Sequence, residues 1–205
     1  MQGAKMLAAL QQSDLEGSMS KKGLKVPVAL FMRGKNIQFQ VSDGKAWSAF
    51  HMQMNDKECK LLEMIDGKQK EFPAKRLAEP IMGMDLTYED LALRFFYWKN
   101  PKLEGEENVG VHGCYKIRLD NPGVEGAYKV IYVWVHKKFG AFMKIEGFDK
   151  NGKPLKRFEV TDVMKIGKDQ AGNAIYTLKQ MNVSTLQPEN GRVASETKLL
   201  FQEPK

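Results

Sequence analysis

Residues 85–98, DLTYEDLALRFFYW, form a stretch with helical character that interrupts a long series of strand-like segments. Thr87 is a suitable N-cap, and Asp90 follows three residues later, where its carboxylate can accept a hydrogen bond from the backbone N–H of the cap. The dipeptide Asn100-Pro101 ends the helix, because the residue before a proline is restricted to extended conformations. The pattern therefore predicts a helix that begins at Thr87 and ends near Trp98.

The second half of this segment is apolar on every side of the predicted helix. Between Leu91 and Trp98 the one charged residue is Arg94, and large apolar side chains occupy positions 91, 93, 95, 96 and 98. A helix of this kind must be covered all round. Two interpretations follow: a core helix packed under a sheet, or a lid with one face on a sheet and the other on a ligand or a partner.

Strand-like segments precede and follow the helix and are joined by short turns. They cover 25–33, 37–42, 46–54, 58–65, 112–120, 128–136, 141–149, 155–166, 174–183 and 194–201. A series of about ten or eleven strands at roughly 10-residue spacing predicts an antiparallel meander, sandwich or barrel. Several of these strands are apolar on both faces, which predicts a sheet covered on both sides over part of its area.

The other segments are predicted to be helix or loop. Residues 4–15 indicate a short amphipathic helix, 17–23 a polar loop and 102–108 an acidic loop. We expect residues 72–98 to cross the concave side of one continuous curved sheet, because the strand pattern is interrupted there. The predicted fold class is mainly β, a curved and incompletely closed antiparallel barrel with helices on its concave face. We expect one domain over residues 1–205.

The chain is basic, with a net charge of +7, and its lysines are scattered. A solvated basic surface explains this charge, and attraction to an anionic lipid surface is the alternative. No arginine-rich run with interleaved aromatic residues is present, so we expect no nucleic-acid partner. No run of about 18 apolar residues indicates a membrane span. The start of the sequence lacks a leader pattern, so for an exported protein we expect the signal to have been removed.

Few residues indicate catalysis or metal binding. His112 and Cys114 share a face of a predicted strand, where side-chain packing is the expected explanation and a Cys–His nucleophile pair is the alternative. A solvated loop is the expected explanation of the glutamates at 104, 106 and 107, and a cation site is the alternative. No HExxH, GxSxG or P-loop motif accompanies the three histidines. We therefore expect no enzyme, no metal and no cofactor. A hydrolase that uses Cys114 or a carboxylate is an alternative to the binding functions considered below.

The two cysteines, Cys59 and Cys114, lie far apart in the sequence and form no CxxC motif. A disulfide and two buried free thiols are both compatible with this spacing, since nothing in the sequence shows that their Cα atoms approach each other. We predict that the two cysteines are not bonded.

Four segments, in this order, resemble the LolA-like proteins, which are bacterial outer-membrane lipoprotein-sorting proteins and their uncharacterised relatives. They are G-x-D-L-x-Y-E-D-L at 83–91, GCY at 113–115, Trp134-Val135, and FDKNGKPLK at 148–156. The resemblance covers about residues 24 to 201. It implies an unclosed antiparallel barrel of about eleven strands, whose hydrophobic cavity holds lipoprotein acyl chains in the periplasm beneath a lid. The carrier of this family has an arginine in its cavity, for which Arg33 and Arg94 are the candidates here.

The resemblance implies a monomeric periplasmic carrier for lipoprotein acyl chains or other lipids, with membrane-associated donor and acceptor proteins as its partners. Twelve methionines supply adaptable apolar surface for such ligands. A protein-interaction or sensor module of the same fold, as in a related stress-sensor domain, is the alternative. We expect the ligand-binding cavity between lid and sheet to be lined by Leu91, Phe95, Trp98, Phe39, Phe50, Met52, Tyr132 and Trp134.

Overall fold

The computed structural model describes residues 13–33, 36–54, 59–92, 94–123, 126–168, 172 and 174–202. Thirteen strands make up most of this part of the chain. They are β1 (Ser13–Lys21), β2 (Leu24–Arg33), β3 (Asn36–Ser42), β4 (Trp47–Met54), β5 (Cys59–Ile65), β6 (Lys68–Glu71), β7 (Lys102–Val109), β8 (His112–Asp120), β9 (Val130–His136), β10 (Phe142–Phe148), β11 (Pro154–Lys168), β12 (Ala174–Leu186) and β13 (Val193–Phe201).

All thirteen strands belong to one antiparallel sheet, in the order β6-β5-β4-β3-β2-β1-β13-β12-β11-β10-β9-β8-β7. The pairing of β1 with β13 joins the two ends of the meander, for example Gly17 opposite Phe201. The edge strands are β6 and β7, which are consecutive in sequence, and the curved sheet stays open between them. The predicted fold class is confirmed, but the sheet has 13 strands and not about eleven.

The three strands absent from the sequence prediction are β1, β6 and β7. The predicted polar loop at 17–23 and acidic loop at 102–108 are wrong, because residues 17–21 lie in β1 and residues 102–108 in β7. Of the predicted polar loop, residues 22 and 23 form the turn between β1 and β2. Residues 4–12 of the predicted amphipathic helix lie outside the described residues, and residues 13–15 begin β1. The edge strands β6 and β7 are rich in exposed charged residues, which protect a sheet edge from pairing with other chains but hide it from pattern analysis.

The segment that connects β6 to β7 contains a short α-helix, α1 (Tyr88–Ala92), and three 3-10 turns at Ala74–Arg76, Ile81–Gly83 and Arg94–Tyr97. The prediction of one helix up to Trp98 is wrong, since the α-helix stops at Ala92. The following run RFFY is rich in aromatic residues, which favour the helix less than straight-chain residues do. In this tighter turn Phe95 is buried in the core, and Phe96 and Tyr97 are half-buried against it.

Residues 72–98, which we call the lid, cover the concave face of the sheet. Buried lid residues such as Ile81, Met84 and Phe95 form one apolar cluster with inward-facing residues of the strands, among them Val28 and Val183. The predicted crossing of the concave side by this segment is therefore confirmed. Among the described residues the sheet receives no strand from the lid, whose one β-bridge joins Pro80 to Thr87 within the lid itself.

Candidate functional site

The apolar contact between lid and sheet contains six of the eight predicted site residues. Leu91, Phe95, Phe39, Phe50 and Met52 are buried in the main core cluster, and Trp98 is half-buried against it. On the lid, Phe95 lies between two other rings, with ring centroids 4.4 Å from Phe96 and 6.5 Å from Trp98. The lid side chains come from α1, the last 3-10 turn and the residue that follows this turn, and the others come from β3 and β4. The lid therefore shares one apolar cluster with strands of the first half of the sheet.

Tyr132 and Trp134 lie elsewhere, in a second cluster with Val109, Cys114 and Met143. Successive side chains of a strand point to opposite faces, and Ile131 and Val133 are the β9 residues that join the main core. The placement of Tyr132 and Trp134 in the concave cavity is therefore wrong: they face the convex side. There the Lys144 ammonium lies 3.7 Å from the Trp134 ring centroid, and the Trp134 indole donates to Glu107 at 2.8 Å.

An aromatic group that the sequence analysis missed fixes the start of α1 on the sheet. Tyr88 packs against Phe72 and Phe50, with ring centroids 4.4 Å and 5.0 Å apart. The Arg76 guanidinium covers the same group, 4.9 Å from the Phe72 centroid, and pairs with Glu63 of β5 at 3.3 Å. Tyr88 is the tyrosine of the Y-E-D-L motif, but the sequence does not show that it packs against Phe50 of β4 and against Phe72.

Asp85 is the first of two buried carboxylates that attach the lid to the sheet. Its Oδ1 accepts hydrogen bonds from Thr185 at 2.7 Å, from Lys21 at 3.1 Å and from Ser195. Its Oδ2 accepts from Thr197 at 2.9 Å, and its own backbone N–H donates to the same hydroxyl oxygen at 2.8 Å. One side chain thereby binds the lid to β1, β12 and β13 at once.

The pKa of Asp85 lies below its ordinary value. Burial acts to raise the pKa, but the hydrogen bonds from Ser195, Thr185, Lys21 and Thr197 stabilise the ionised carboxylate and together outweigh it. Because the pKa is lower in the folded state than in the unfolded state, ionised Asp85 stabilises the fold. This contribution is complete above the ordinary Asp pKa and is lost as the pH falls through the folded-state value.

We expect Asp85→Asn to lower the free energy of unfolding at pH 7 by about 1–3 kcal/mol, because buried donors lose their charged acceptor. The difference between wild type and variant should shrink as the pH falls below the ordinary Asp pKa of about 4 and toward the lower folded-state pKa of Asp85, because protonation then removes the charge of the wild-type carboxylate. Urea unfolding of both proteins across this pH range measures the difference in their free energies of unfolding. A difference that stays constant with pH would contradict the assigned role of the Asp85 charge.

Asp90 is the second buried carboxylate. Its Oδ2 accepts from the Thr87 backbone N–H and hydroxyl, each at 2.8 Å, which confirms the predicted N-terminal capping interaction. The same oxygen binds the Lys156 ammonium of β11 at 2.8 Å, and Oδ1 accepts from the Tyr128 hydroxyl at 2.6 Å. The carboxylate and ammonium side chains are 1% and 9% exposed, so this ion pair is removed from solvent.

The neighbouring Glu89 connects the lid to the loop that precedes β9. Both of its carboxylate oxygens accept from the Ala127 backbone N–H, at 3.1 Å and 3.2 Å. Burial raises the pKa of Glu89, and the nearby Asp90 charge acts in the same direction. A Cβ on Gly126 would come within 2.3 Å of Glu89 Oε1, so the glycine lets the loop before β9 approach α1.

Neither candidate for the cavity arginine lies in the core. Arg33 pairs with Asp14 on the surface, with Nη2–Oδ2 at 2.8 Å, and Arg94 is exposed at the start of the last 3-10 turn. The cations that meet the buried carboxylates of the lid are lysines, the partly buried Lys21 at Asp85 and the buried Lys156 at Asp90. Lys156 is the more deeply buried of the two. It belongs to the FDKNGKPLK segment on which the resemblance partly rests, and its strand position was predicted, but its buried partner was not.

The candidate catalytic groups are occupied in structural contacts. The Cys114 thiol donates to the His112 carbonyl oxygen at 3.5 Å, and burial raises the pKa of this thiol, which disfavours the reactive thiolate. Cys59 and Cys114 are both free, which confirms that they are not bonded. In the acidic segment, Glu107 pairs with Lys116 at 2.8 Å. Within the described ranges no group of His, Cys, Asp and Glu residues could hold a metal ion.

Residues 66–204 match the model of a protein family that is described as "Uncharacterized protein". The chain belongs to this family. No curated protein matches the chain. In the part of the chain that the structure describes, no helix is long and apolar enough to cross a membrane.

Three solved structures share the fold of this family member. A DUF1329 family protein from Desulfovibrio piger is 20% identical with a TM-score of 0.70, over 98% of this chain and 88% of that chain. A putative outer membrane lipoprotein-sorting protein domain from Vibrio parahaemolyticus is 15% identical with a TM-score of 0.72, over 98% and 92%. A LolA superfamily protein from Nitrosomonas europaea is 13% identical with a TM-score of 0.60, over 94% and 83%. The resemblance to LolA-like proteins is therefore confirmed at the level of the fold.

Proposed function

We propose that this protein is a non-enzymatic carrier that binds acyl chains, those of lipoproteins or of other lipids, between the lid and the concave face of the sheet. The observation that carries the proposal is the way the lid is attached. Apolar lid residues cover the concave face, while Asp85 and Asp90 fasten the lid through side-chain hydrogen bonds. In the described part of the chain, no strand of the sheet contains a residue of the lid.

This arrangement allows the lid to move without unfolding the sheet. Displacing the lid would break its side-chain bonds to β1, β11, β12 and β13 and expose apolar side chains such as Phe39, Met52 and Phe95. Exposure of this surface to water is unfavourable, so the lid stays closed without ligand. An acyl chain that replaces the lid contacts gains about 0.8 kcal/mol per buried CH₂. A long chain can therefore compensate for the broken bonds.

Similarity of fold to a solved structure also supports the proposal. One solved structure of the same fold is described as a lipoprotein-sorting protein domain. A carrier of this kind works in the periplasm as a monomer and exchanges its lipid with membrane-associated donor and acceptor proteins. No catalytic step is needed for it.

The test is uptake of a fluorescent fatty acid by the full chain. We expect wild type to bind the probe and Phe95→Asp to bind it more than about tenfold more weakly, because a carboxylate in contact with the acyl chain loses its hydration. Leu103→Asp is the matched control, since Leu103 is an exposed residue of the edge strand β7, and we expect it to bind like wild type.

Folding must be checked before the uptake is interpreted, because Phe95 belongs to the core. Near-UV circular dichroism and a thermal melt show whether the Phe95→Asp variant keeps its tertiary structure. Wild-type protein that takes up no acyl probe would overturn the carrier proposal, whatever the variants do.

A second candidate function is a protein-interaction or sensor module of the same fold. The observation that favours it is that the lid already fills the concave face with its own side chains and two buried carboxylates, so a partner could be recognised on the outer surface with the lid closed. Native mass spectrometry distinguishes the two. Co-purified lipid that is displaced by the acyl probe supports the carrier, and a lipid-free protein that does not bind the probe supports the module.

A further inference from the structure

Exposed apolar side chains collect at one end of the sheet, where β8, β10 and β12 begin and β7, β9 and β11 end. Val111 is at the tip of the β7–β8 hairpin and is 93% exposed, Phe139 is at the tip of the β9–β10 hairpin and is 59% exposed, and Tyr176 near the start of β12 is 48% exposed. Val163 of β11 adds a fourth exposed apolar side chain. Large apolar groups at three successive hairpins are unusual in a solvated surface, because such groups seldom cluster without a partner.

Aromatic contacts connect these hairpins into one surface. The His112 and His136 rings have centroids 5.3 Å apart, and those of His136 and Phe139 are 4.7 Å apart. Phe139 reaches Tyr176 of the next hairpin at 6.5 Å. We call the surface formed by Val111, His112, His136, Phe139, Val163 and Tyr176, together with the lysines described next, the hairpin-tip surface.

Lysines surround these rings. Lys137, Lys138, Lys165 and Lys168 are all exposed. The Lys138 ammonium lies 5.4 Å from the Phe139 ring centroid, and Lys165 lies opposite Tyr176 in the β11–β12 register. Among the described residues the nearby acids are Glu106, which pairs with Lys137, Glu107, which pairs with Lys116 at 2.8 Å, and Asp162, which pairs with Lys179 at 3.0 Å. The hairpin-tip surface is therefore both aromatic and positively charged.

The β11–β12 hairpin also projects beyond its neighbours. β10 pairs with β11 as far as Glu159, and β13 pairs with β12 as far as Gln180. Beyond these positions the two strands pair with each other, up to Lys168 opposite Ala174. Val163, Lys165 and Tyr176 lie on this projecting part, and the contact of the Tyr176 ring with Phe139 joins them to the neighbouring hairpin.

We propose that the hairpin-tip surface docks the protein on an anionic lipid bilayer. Aromatic rings are favoured at the boundary between headgroups and acyl chains, and exposed apolar groups such as Val111 can enter that boundary. Each lysine near the surface gains from the negative potential of anionic lipids, and its long side chain can place the ammonium group among the headgroups. The proposal does not require acyl-chain binding under the lid, and its test is separate.

The experiment is co-sedimentation of the full chain with vesicles of phosphatidylcholine alone and with vesicles that also contain phosphatidylglycerol. We expect wild type to sediment with the phosphatidylglycerol vesicles and to be released as salt is added, because salt screens exposed charges. Lys138→Glu/Lys165→Glu should weaken binding more than about 25-fold, at about fivefold for each lysine charge removed. Phe139→Ser/Tyr176→Ser should also lose binding, although the charge is unchanged.

The opposite end of the sheet offers a matched control. Trp47 is 53% exposed at the start of β4, and Lys45 lies beside it in the exposed β3–β4 turn. We expect Trp47→Ser/Lys45→Glu to bind the vesicles like wild type. Loss of binding in this control but not in the hairpin-tip variants would overturn the assignment. Wild type that does not sediment with the anionic vesicles at low salt would also overturn it, and would leave an acidic protein as the occupant of this surface.

Discussion

Replacing Lys156 with Met is expected to lower the free energy of unfolding by about 3–5 kcal/mol, because it leaves the buried Asp90 carboxylate without its counter-charge. Asp90 would still accept from Tyr128 and Thr87, but these neutral donors do not replace a charge inside the core. Met keeps the length and apolar stem of the lysine, so the change tests the ion pair more than the packing. Urea unfolding at neutral pH measures the effect.

The exposed pair of Lys102 and Asp120 is the control for this variant. Its nitrogen–oxygen distance is 3.0 Å and its side chains are 62% and 39% exposed. An ion pair of similar length in contact with water contributes between 0 and about 1 kcal/mol. We therefore expect Lys102→Met to be close to wild type. Equal effects of the two substitutions would contradict the assignment of Lys156 as a buried anchor of the lid.

A double variant separates the effect of losing the ion pair from the effect of leaving the Asp90 charge buried without a partner. Asp90→Asn removes the remaining buried charge, so the double variant Asp90→Asn/Lys156→Met should be more stable than the sum of the single effects predicts. The lid should also open more readily in Lys156→Met than in wild type. Faster uptake of the fluorescent fatty acid by this variant, with its sheet intact, would connect the anchor to ligand entry.

The strands that could be predicted from the sequence are those that bury apolar side chains on a regular pattern. β3 alternates Ile37, Phe39 and Val41 toward the core, and β8 was predicted with its observed bounds. β1 was missed although it buries Leu15 and Met19, because its serines and Gly17 resemble a loop. Backbone pairing with β2 and β13, which the sequence does not display, makes this segment a strand.

Part of the candidate site could be predicted, because some of its interactions join residues that are close together in the sequence. The interaction of Thr87 with Asp90 is local, and sequence spacing alone indicates it. The anchors of Asp85 were not predictable, since Thr185 and Ser195 lie 100 and 110 residues away in the sequence and isolated hydroxyls on strands carry no pattern. In β9 both faces are apolar, so alternation identified the two faces but not which of them is concave. Trp134 was assigned to the wrong one for that reason.

Replacing Gly17 with Ala is expected to lower the free energy of unfolding by about 3 kcal/mol, because overpacking against rigid backbone cannot be relieved by a side-chain movement. A Cβ at this position would lie 2.1 Å from the Leu200 carbonyl oxygen and 2.9 Å from the Phe201 Cα. Gly17 pairs with Phe201 where β1 meets β13. This pairing is the one junction between the two halves of the described sheet.

Gly113→Ala is the matched control, since Gly113 lies in β8 and its nearest contacts to a new Cβ are side-chain atoms at 3.7 Å or more. We expect it to be neutral or slightly stabilising, because alanine reduces the conformational freedom of the unfolded chain. Hydrogen exchange should show that Gly17→Ala loses protection first at β1 and β13, whereas Gly113→Ala leaves their protection unchanged. Similar stability and exchange in the two variants would contradict the conclusion that the contact of Gly17 with the β13 backbone leaves no room for a side chain.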